Sequence, residues 1–116
     1  GRGGRIVNVA SRVGFRGEPG ASLYASSKAA LINLTRSLAV EWAGKVFVAG
    51  IAPGWVETAM ARDGMDHRLP SILESIPLGR MASPDDCANA TAFLLNPESD
   101  YLSGIVIDIN GASYFH

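Results

Sequence analysis

Neither proline nor glycine interrupts the stretch from Leu23 to Trp42, and this run of good helix formers lies between two short runs of apolar, β-branched residues. The long stretch reads as a helix, and the short flanking runs suit buried strands. Ile6-Val7-Asn8-Val9-Ala10 reads as a buried strand, and Val46 to Ala52, closed by Pro53-Gly54, as a second. Ser22 stands where a cap is needed, Gly44 where the helix must stop, and Leu31, Leu34, Leu38 and Trp42 recur at three- and four-residue steps as the expected apolar stripe. Between strand and helix, Ser11 to Gly20 has the glycine-rich, polar composition of a loop.

Downstream, Ser83-Pro84-Asp85-Asp86 is a helix start, with a hydroxyl cap, proline at the first helical position and carboxylates near the positive end of the dipole. That helix is expected to reach about Leu95. Asn96 to Ser103 turns the chain, and Ile105-Val106-Ile107-Asp108-Ile109 is a third strand, ended by Asn110-Gly111. Glu57 to Pro77, with mixed polarity and two prolines, supports a short helix plus a mobile, lid-like segment. Strand, helix, strand, helices, strand is the order of right-handed crossovers, so the expected fold class is α/β, a three-layer parallel sheet with helices on both faces. Three strands are few for such a sheet, and an edge left open along a buried-type strand implies a missing pairing partner.

Composition closes off other classes. The 116 residues are 47% hydrophobic and 18% charged, the balance of one core-forming domain, and a net charge of −1 gives no electrostatic case for nucleic acid or an anionic membrane. Arg2, Arg5, Arg12 and Arg16 cluster early and read as a solvated rim or a phosphate-facing edge. Cys87 is the only cysteine, which excludes an intramolecular disulfide and favours a reducing compartment; it is expected as a small core residue. With no secretory signal and no apolar run near the ~20 residues needed to span a bilayer, the expected location is cytoplasmic. His67 and His116 have no metal-ligand spacing, so no metal site is expected. Trp42, Trp55, Phe93 and Tyr114 read as packing residues.

Reactive chemistry concentrates early. Tyr24 and Lys28, four residues apart, would lie one above the other on a helix face, with the ammonium beside the phenol. A free phenol, titrating near pH ~10, is a poor base at neutrality, and a neighbouring positive charge favours its ionised form. Ser11, at the end of an expected strand, could donate to the same substrate oxygen. The three would form a proton-transfer site. Singly, each has a plainer reading: Tyr24 as a half-buried helix tyrosine, Lys28 as its solvated neighbour, Ser11 as a turn residue and Thr58 as a helix cap.

In order, Asn8-Val9-Ala10-Ser11, Tyr24-Ala25-Ser26-Ser27-Lys28, Ala52-Pro53-Gly54-Trp55-Val56-Glu57-Thr58, Pro77-Leu78-Gly79-Arg80 ahead of Ser83-Pro84-Asp85-Asp86, and Ser103-Gly104 with Asp108-Ile109-Asn110-Gly111 closely resemble the short-chain dehydrogenase/reductase family, nearest in style to its 3-oxoacyl-carrier-protein reductases and its sugar or polyol dehydrogenases. A lone Tyr-x-x-x-Lys is weak, whereas five ordered motifs are specific. The resemblance implies the carboxyl-terminal portion of a Rossmann-type sheet and an enzyme that interconverts a hydroxyl and a carbonyl with NAD or NADP. By it, Tyr24 is the general acid/base, Lys28 lowers the tyrosine's pKa and hydrogen-bonds the nicotinamide ribose, and Ser11 holds the substrate oxygen. Pro53 and Gly54 would end a strand at the cofactor, with the Val56 backbone and the Thr58 hydroxyl facing the carboxamide or a phosphate. It further implies an alcohol or ketone substrate under a lid following Thr58, and a homodimer or homotetramer built through the helix bearing Ala25, Ser26, Ala29 and Ala30 and through the last strand.

The departures also carry information. No stretch reads G-x-x-x-G-x-G, and members of the family are about twice as long. Residues 1–116 are therefore expected to be the carboxyl-terminal catalytic half of a single domain, lacking the amino-terminal dinucleotide-binding half and inactive alone. The alternative is a truncated, non-catalytic fragment that serves only assembly. Where the family usually reads glycine, an aliphatic, arginine, valine and asparagine, this chain has Lys45-Val46-Phe47-Val48-Ala49 and one residue fewer.

Overall fold

Alternation along one strand organises the molecule. In the computed structural model, which describes residues 3–58 and 67–116, β1 (Arg5–Val9), β2 (Phe47–Pro53) and β3 (Val106–Ile109) form a parallel sheet in the order β1-β2-β3. Val7 lies level with Ala49, and Ile51 level with Ile107. Phe47 to Ala52 of the middle strand are all buried, as they must be when helices cover both faces. Successive side chains point to opposite faces. Phe47, Ala49 and Ile51 meet Leu94 of α4 (Pro84–Leu95) in a core that Val7, Cys87, Ala90, Ile105, Ile107 and Ile109 complete. Burial, then the Asp86 carboxylate, pushes the Cys87 thiol up, in keeping with its place as a small core residue.

Val48, Gly50 and Ala52 face α2 (Ser22–Glu41), the crossover from β1 to β2. Their shallow surface decides which side of α2 is buried. Ala25, Ile32, Thr35 and Ala39 are the buried residues, in place of the expected Leu31, Leu34, Leu38 and Trp42 stripe, and Leu34 is 48% exposed. A Cβ at Gly50 would lie 3.7 Å from Thr35 Cγ2, so the missing side chain at Gly50 lets the helix settle close at the level of Thr35. The Thr35 hydroxyl donates to Leu31 O at 2.8 Å and accepts from Asn8 Nδ2 at 2.9 Å, tying helix to β1. The helix also begins differently from the expectation. Ala21 holds the cap position without a side-chain bond, and Ser22 is already helical. Gly44, at φ +81°, ends the exit turn, in which Lys45 and Val46 both donate to Trp42 O.

The expected loop from Ser11 to Gly20 contains a single helical turn, α1 (Val13–Arg16), pressed against α2. A Cβ at Gly14 would stand 2.9 Å from Lys28 C and 3.1 Å from Ala29 N, both backbone atoms of α2 that cannot rotate away. Gly14→Ala is therefore expected to lower unfolding free energy by about 1–3 kcal/mol, measured by urea denaturation; a neutral result would mean that α1 does not lie this close.

α4 starts as its sequence dictates. Asp86 N–H donates to Ser83 Oγ at 3.1 Å and Ser83 N–H to Asp86 Oδ2 at 2.8 Å, a reciprocal capping box with Pro84 at the first position. Arg80 Nη1 binds the same Oδ2 at 2.8 Å. That bond first, and Ser83 after it, draws the Asp86 carboxyl from its ordinary 3.8 down to about 2. A lowered native pKa gives stability that is fully present above the unfolded value and lost as pH falls through the native one. The melting temperatures of the native chain and of Asp86→Asn are accordingly expected to differ at neutral pH and to converge as pH falls from 3.8 toward about 2. A gap unchanged across that window would remove the carboxylate from the account.

Asn96 caps a 3-10 segment, Pro97–Leu102, that leads into β3. A second cluster, Ile72, Ile76 and Met81 with Trp55, Leu69 and Leu73, seats α3 (Leu69–Glu74) beside the chain leaving β2. Of the expected lid, residues 59–66 lie outside the described residues. Phe93, expected to pack, is 55% exposed, beside the buried Leu94. Both outer strands of the order β1-β2-β3 are edges among the described residues, and on β1 Ile6 is 37% and Val9 56% exposed. Among the described residues no helix is long and apolar enough to cross a membrane.

Candidate functional site

Parallel strands deliver their carboxyl ends to one edge of a sheet, the place where open α/β folds bind ligands. Ala10-Ser11, Pro53-Gly54 and Asn110-Gly111 arrive there from β1, β2 and β3. Backbone bonds lace them together beyond the strand ends: Ala10 N–H to Ile51 O at 2.8 Å, Arg12 N–H to Pro53 O at 2.9 Å and Gly54 N–H to Ile109 O at 2.9 Å. Ser11 is partly buried, its Oγ accepting from Val13 N–H at 3.3 Å and its carbonyl from Gly14 N–H at 3.0 Å.

Tyr24, 53% exposed, lies in the first turns of α2, and Lys28 follows one turn later. The Lys28 ammonium donates to Val9 O at 3.0 Å and stands 5.6 Å from the Tyr24 ring centroid. Val9 lies two residues before Ser11, so this one bond fixes the lysine against the strand end that carries the serine. The structure thus brings hydroxyl, phenol and ammonium to the same sheet edge. Among the described residues no hydrogen bond joins Ser11 to Tyr24 directly.

Val56 forms a parallel bridge with Ala82, whose N–H donates to Trp55 O at 3.0 Å and whose carbonyl accepts from Glu57 N–H at 2.8 Å. In such a bridge the flanking residues make the bonds, so the N–H and C=O of Val56 turn to the opposite edge. Thr58 is exposed where the described segment ends. Gly54 is closely enclosed: a Cβ there would be 3.1 Å from Asn110 Cβ and 3.4 Å from Arg12 Nη1.

Arg12 corrects the sequence reading of a solvated arginine rim. It is 5% exposed, and burial, reinforced by the charge of Arg16, pulls its pKa down while Glu18 pulls it up. Arg16 pairs with Glu18 at 2.9 Å. Arg5 pairs with Asp100, donates to Leu94 O and stacks 3.9 Å over the Phe47 ring. Arg2 lies outside the described residues. The last residues also reach this edge, with Phe15 and His116 rings stacked at 3.8 Å and His116 Nε2 3.0 Å from Asp108 Oδ2. Apart from Arg16 and Glu18, two residues apart, nothing local marks these pairings in the sequence; the one available signal for Arg12 was a single arginine set among small and apolar residues at 11–14.

Comparison with known proteins agrees with this fold. A family model described as enoyl-(acyl carrier protein) reductase matches residues 1–112. A 3-oxoacyl-[acyl-carrier-protein] reductase of Vibrio cholerae is 41% identical over 97% of this chain and 47% of its own length. An acetoacetyl-CoA reductase of Allochromatium vinosum is 44% identical over 97% of this chain and 46% of its own. Among solved structures, a short-chain dehydrogenase/reductase from Brucella melitensis described as glucose/ribitol dehydrogenase superposes with a TM-score of 0.91 at 33% identity, covering 97% of this chain and 46% of that one. A protein of Beutenbergia cavernae described as an NAD(P)-dependent gluconate 5-dehydrogenase, with NADP bound, gives 0.89 at 40%, covering 96% and 46%. The chain thus spans about half the length of the curated relatives it matches. A parallel three-stranded sheet under crossover helices, with a match running through nearly every residue, leaves one assignment: the chain belongs to the short-chain dehydrogenase/reductase family.

Proposed function

We propose that this chain is the carboxyl-terminal, catalytic half of an NAD(P)-dependent oxidoreductase that interconverts a hydroxyl and a carbonyl, with Tyr24 as general acid/base. The observation that carries the reading is the Lys28 ammonium, fixed on Val9 O at 3.0 Å beside the Tyr24 ring and next to the strand end bearing Ser11. Ser11 donates a hydrogen bond to the substrate oxygen. Tyr24 passes a proton to or from that oxygen, and Lys28 stabilises the negative charge left on the phenol.

The residues present fit the nicotinamide end of a dinucleotide. Lys28 offers an ammonium to a ribose hydroxyl, and Pro53 and Gly54 form the floor at the sheet edge. The outward N–H and C=O of Val56 match a carboxamide, with the Thr58 hydroxyl beyond. When bound, the nicotinamide supplies or accepts the hydride. The phosphate-binding loop comes from elsewhere, since no stretch here reads G-x-x-x-G-x-G. The substrate is a small alcohol or ketone, and the location is cytoplasmic.

The exposed side of α2 supports a symmetric homo-oligomer. Leu23 is 87%, Leu34 48% and Val40 80% exposed, beside a groove lined by Ser27, Ala30, Leu31 and Ser37. That same face supports the second reading, a module that serves assembly without turnover. The test titrates NADH and NADPH against this chain and against a protein extended upstream to the length of its relatives, following nicotinamide fluorescence and thermal stability. The extended protein is expected to bind saturably and oxidise NADPH with a ketone, and this chain alone to do neither. A folded, extended protein that binds neither nucleotide would overturn the proposal; if it still self-associates, the assembly reading stands.

A further inference from the structure

We infer that Arg12 is a positioning residue that fastens the Ser11 turn to the Pro53-Gly54 segment and to the turn at residues 110–113; its effect on turnover rests on the reading of Ser11 as a reaction-site hydroxyl. Three contacts converge on it. Its backbone N–H binds Pro53 O at 2.9 Å, its Nη1 donates to Ser113 Oγ at 2.7 Å, and its guanidinium lies so near Gly54 that a Cβ there would stand 3.5 Å from Cζ. The turn it grips is strained. Ser113 N–H bonds to Asn110 O at 3.0 Å, with Gly111 at φ +59° and Ala112 at φ +68°, and Ala112 is the only non-glycine with positive φ among the described residues. Such a conformation persists where surrounding contacts hold it, and the bond to Ser113, the next residue, is one such hold.

Stability alone does not account for this arginine. It is 5% exposed, and its Nε lies buried with no partner among the described residues. A buried guanidinium with an unmet donor is costly, and an apolar chain of similar length would fill the space without that cost. What an apolar chain lacks is the donor that reaches Ser113 while the group lies against Gly54. Ser11 is the adjacent residue, so the height of its hydroxyl above the sheet edge follows from how Arg12 is held.

The test compares Arg12→Met, Arg12→Lys and Ser113→Ala. By amide exchange on this chain, Arg12→Met is expected to speed exchange together at Gly54 and Ser113, and Ser113→Ala at residue 113, with little change in melting temperature. In the upstream-extended protein, kcat is expected to fall about 10- to 100-fold with KM near its original value, and lysine to restore only part of it. Should Arg12→Met fail to fold, Ser113→Ala removes the acceptor alone and gives both readouts. Unchanged exchange in the folded variant would overturn the fastening. Unchanged kcat, in a protein that Tyr24→Phe inactivates, would overturn the positioning role. If Tyr24→Phe remained active the oxidoreductase chemistry would fall instead, while the exchange result would still decide the fastening.

Discussion

Tyr24→Phe, made in the upstream-extended protein, is expected to lower the turnover of hydride transfer by about 100- to 10,000-fold, the range that a positioned general acid/base contributes. The fold should be untouched. Tyr24 is 53% exposed and belongs to neither apolar cluster, and its hydroxyl makes no hydrogen bond among the described residues. Its backbone carbonyl, which accepts from Ser27 Oγ at 2.7 Å, is kept in the variant. Losing one oxygen therefore removes a proton donor and little packing. Melting temperature and nucleotide affinity should match those of the unmodified protein, so a fall in kcat reports on chemistry alone. Lys28→Met makes an instructive companion, because the lysine also anchors to Val9 O at 3.0 Å and is proposed to meet the ribose. That variant should lose both turnover and nucleotide affinity. Turnover retained in Tyr24→Phe would end the role assigned to the phenol.

Local signals carried most of the architecture. A capping box is written in four consecutive residues, and Ser83 to Asp86 made it; a tyrosine and lysine four apart on a helix must be neighbours, and they are. What failed depended on partners distant in sequence. The buried face of α2 carries Ala25, Ile32, Thr35 and Ala39, with Thr35 against Gly50 of β2, and no periodicity within the helix reports what the sheet opposite will offer. Arg12 read as solvated because its acceptor, Ser113, stands 101 residues away. Phe47, where the family usually carries a basic residue, received its positive charge from another strand, through Arg5 stacked 3.9 Å over the ring. Ser11 became a candidate through its motif; its own sequence neighbourhood said only that it was in a turn.

Leu94→Ala is expected to reduce unfolding free energy by about 2–5 kcal/mol, a large share of the about 5–15 kcal/mol that holds a domain of this size together. Leu94 is 0% exposed and closes the core made by Phe47, Ala49 and Ile51. The surrounding groups are poorly placed to collapse into the space. Arg5 donates Nε and Nη2 to Leu94 O at 3.2 and 2.8 Å while lying on the Phe47 ring, so the last turn of α4, the start of β1 and the start of β2 constrain one another. Phe93→Ala, one residue earlier and 55% exposed, should cost no more than about 0.5 kcal/mol, although it deletes a larger side chain. The comparison isolates burial from size, and denaturant unfolding of the two variants measures it. A greater loss from Phe93→Ala would mean that α4 presents its other face to the sheet. With the expected order, and because Leu94 packs between sheet and helix while Tyr24 stands at the sheet's carboxyl edge, Leu94→Ala made in the upstream-extended protein should shift the unfolding midpoint and leave nucleotide-linked turnover below it unchanged, the inverse of the result expected for Tyr24→Phe.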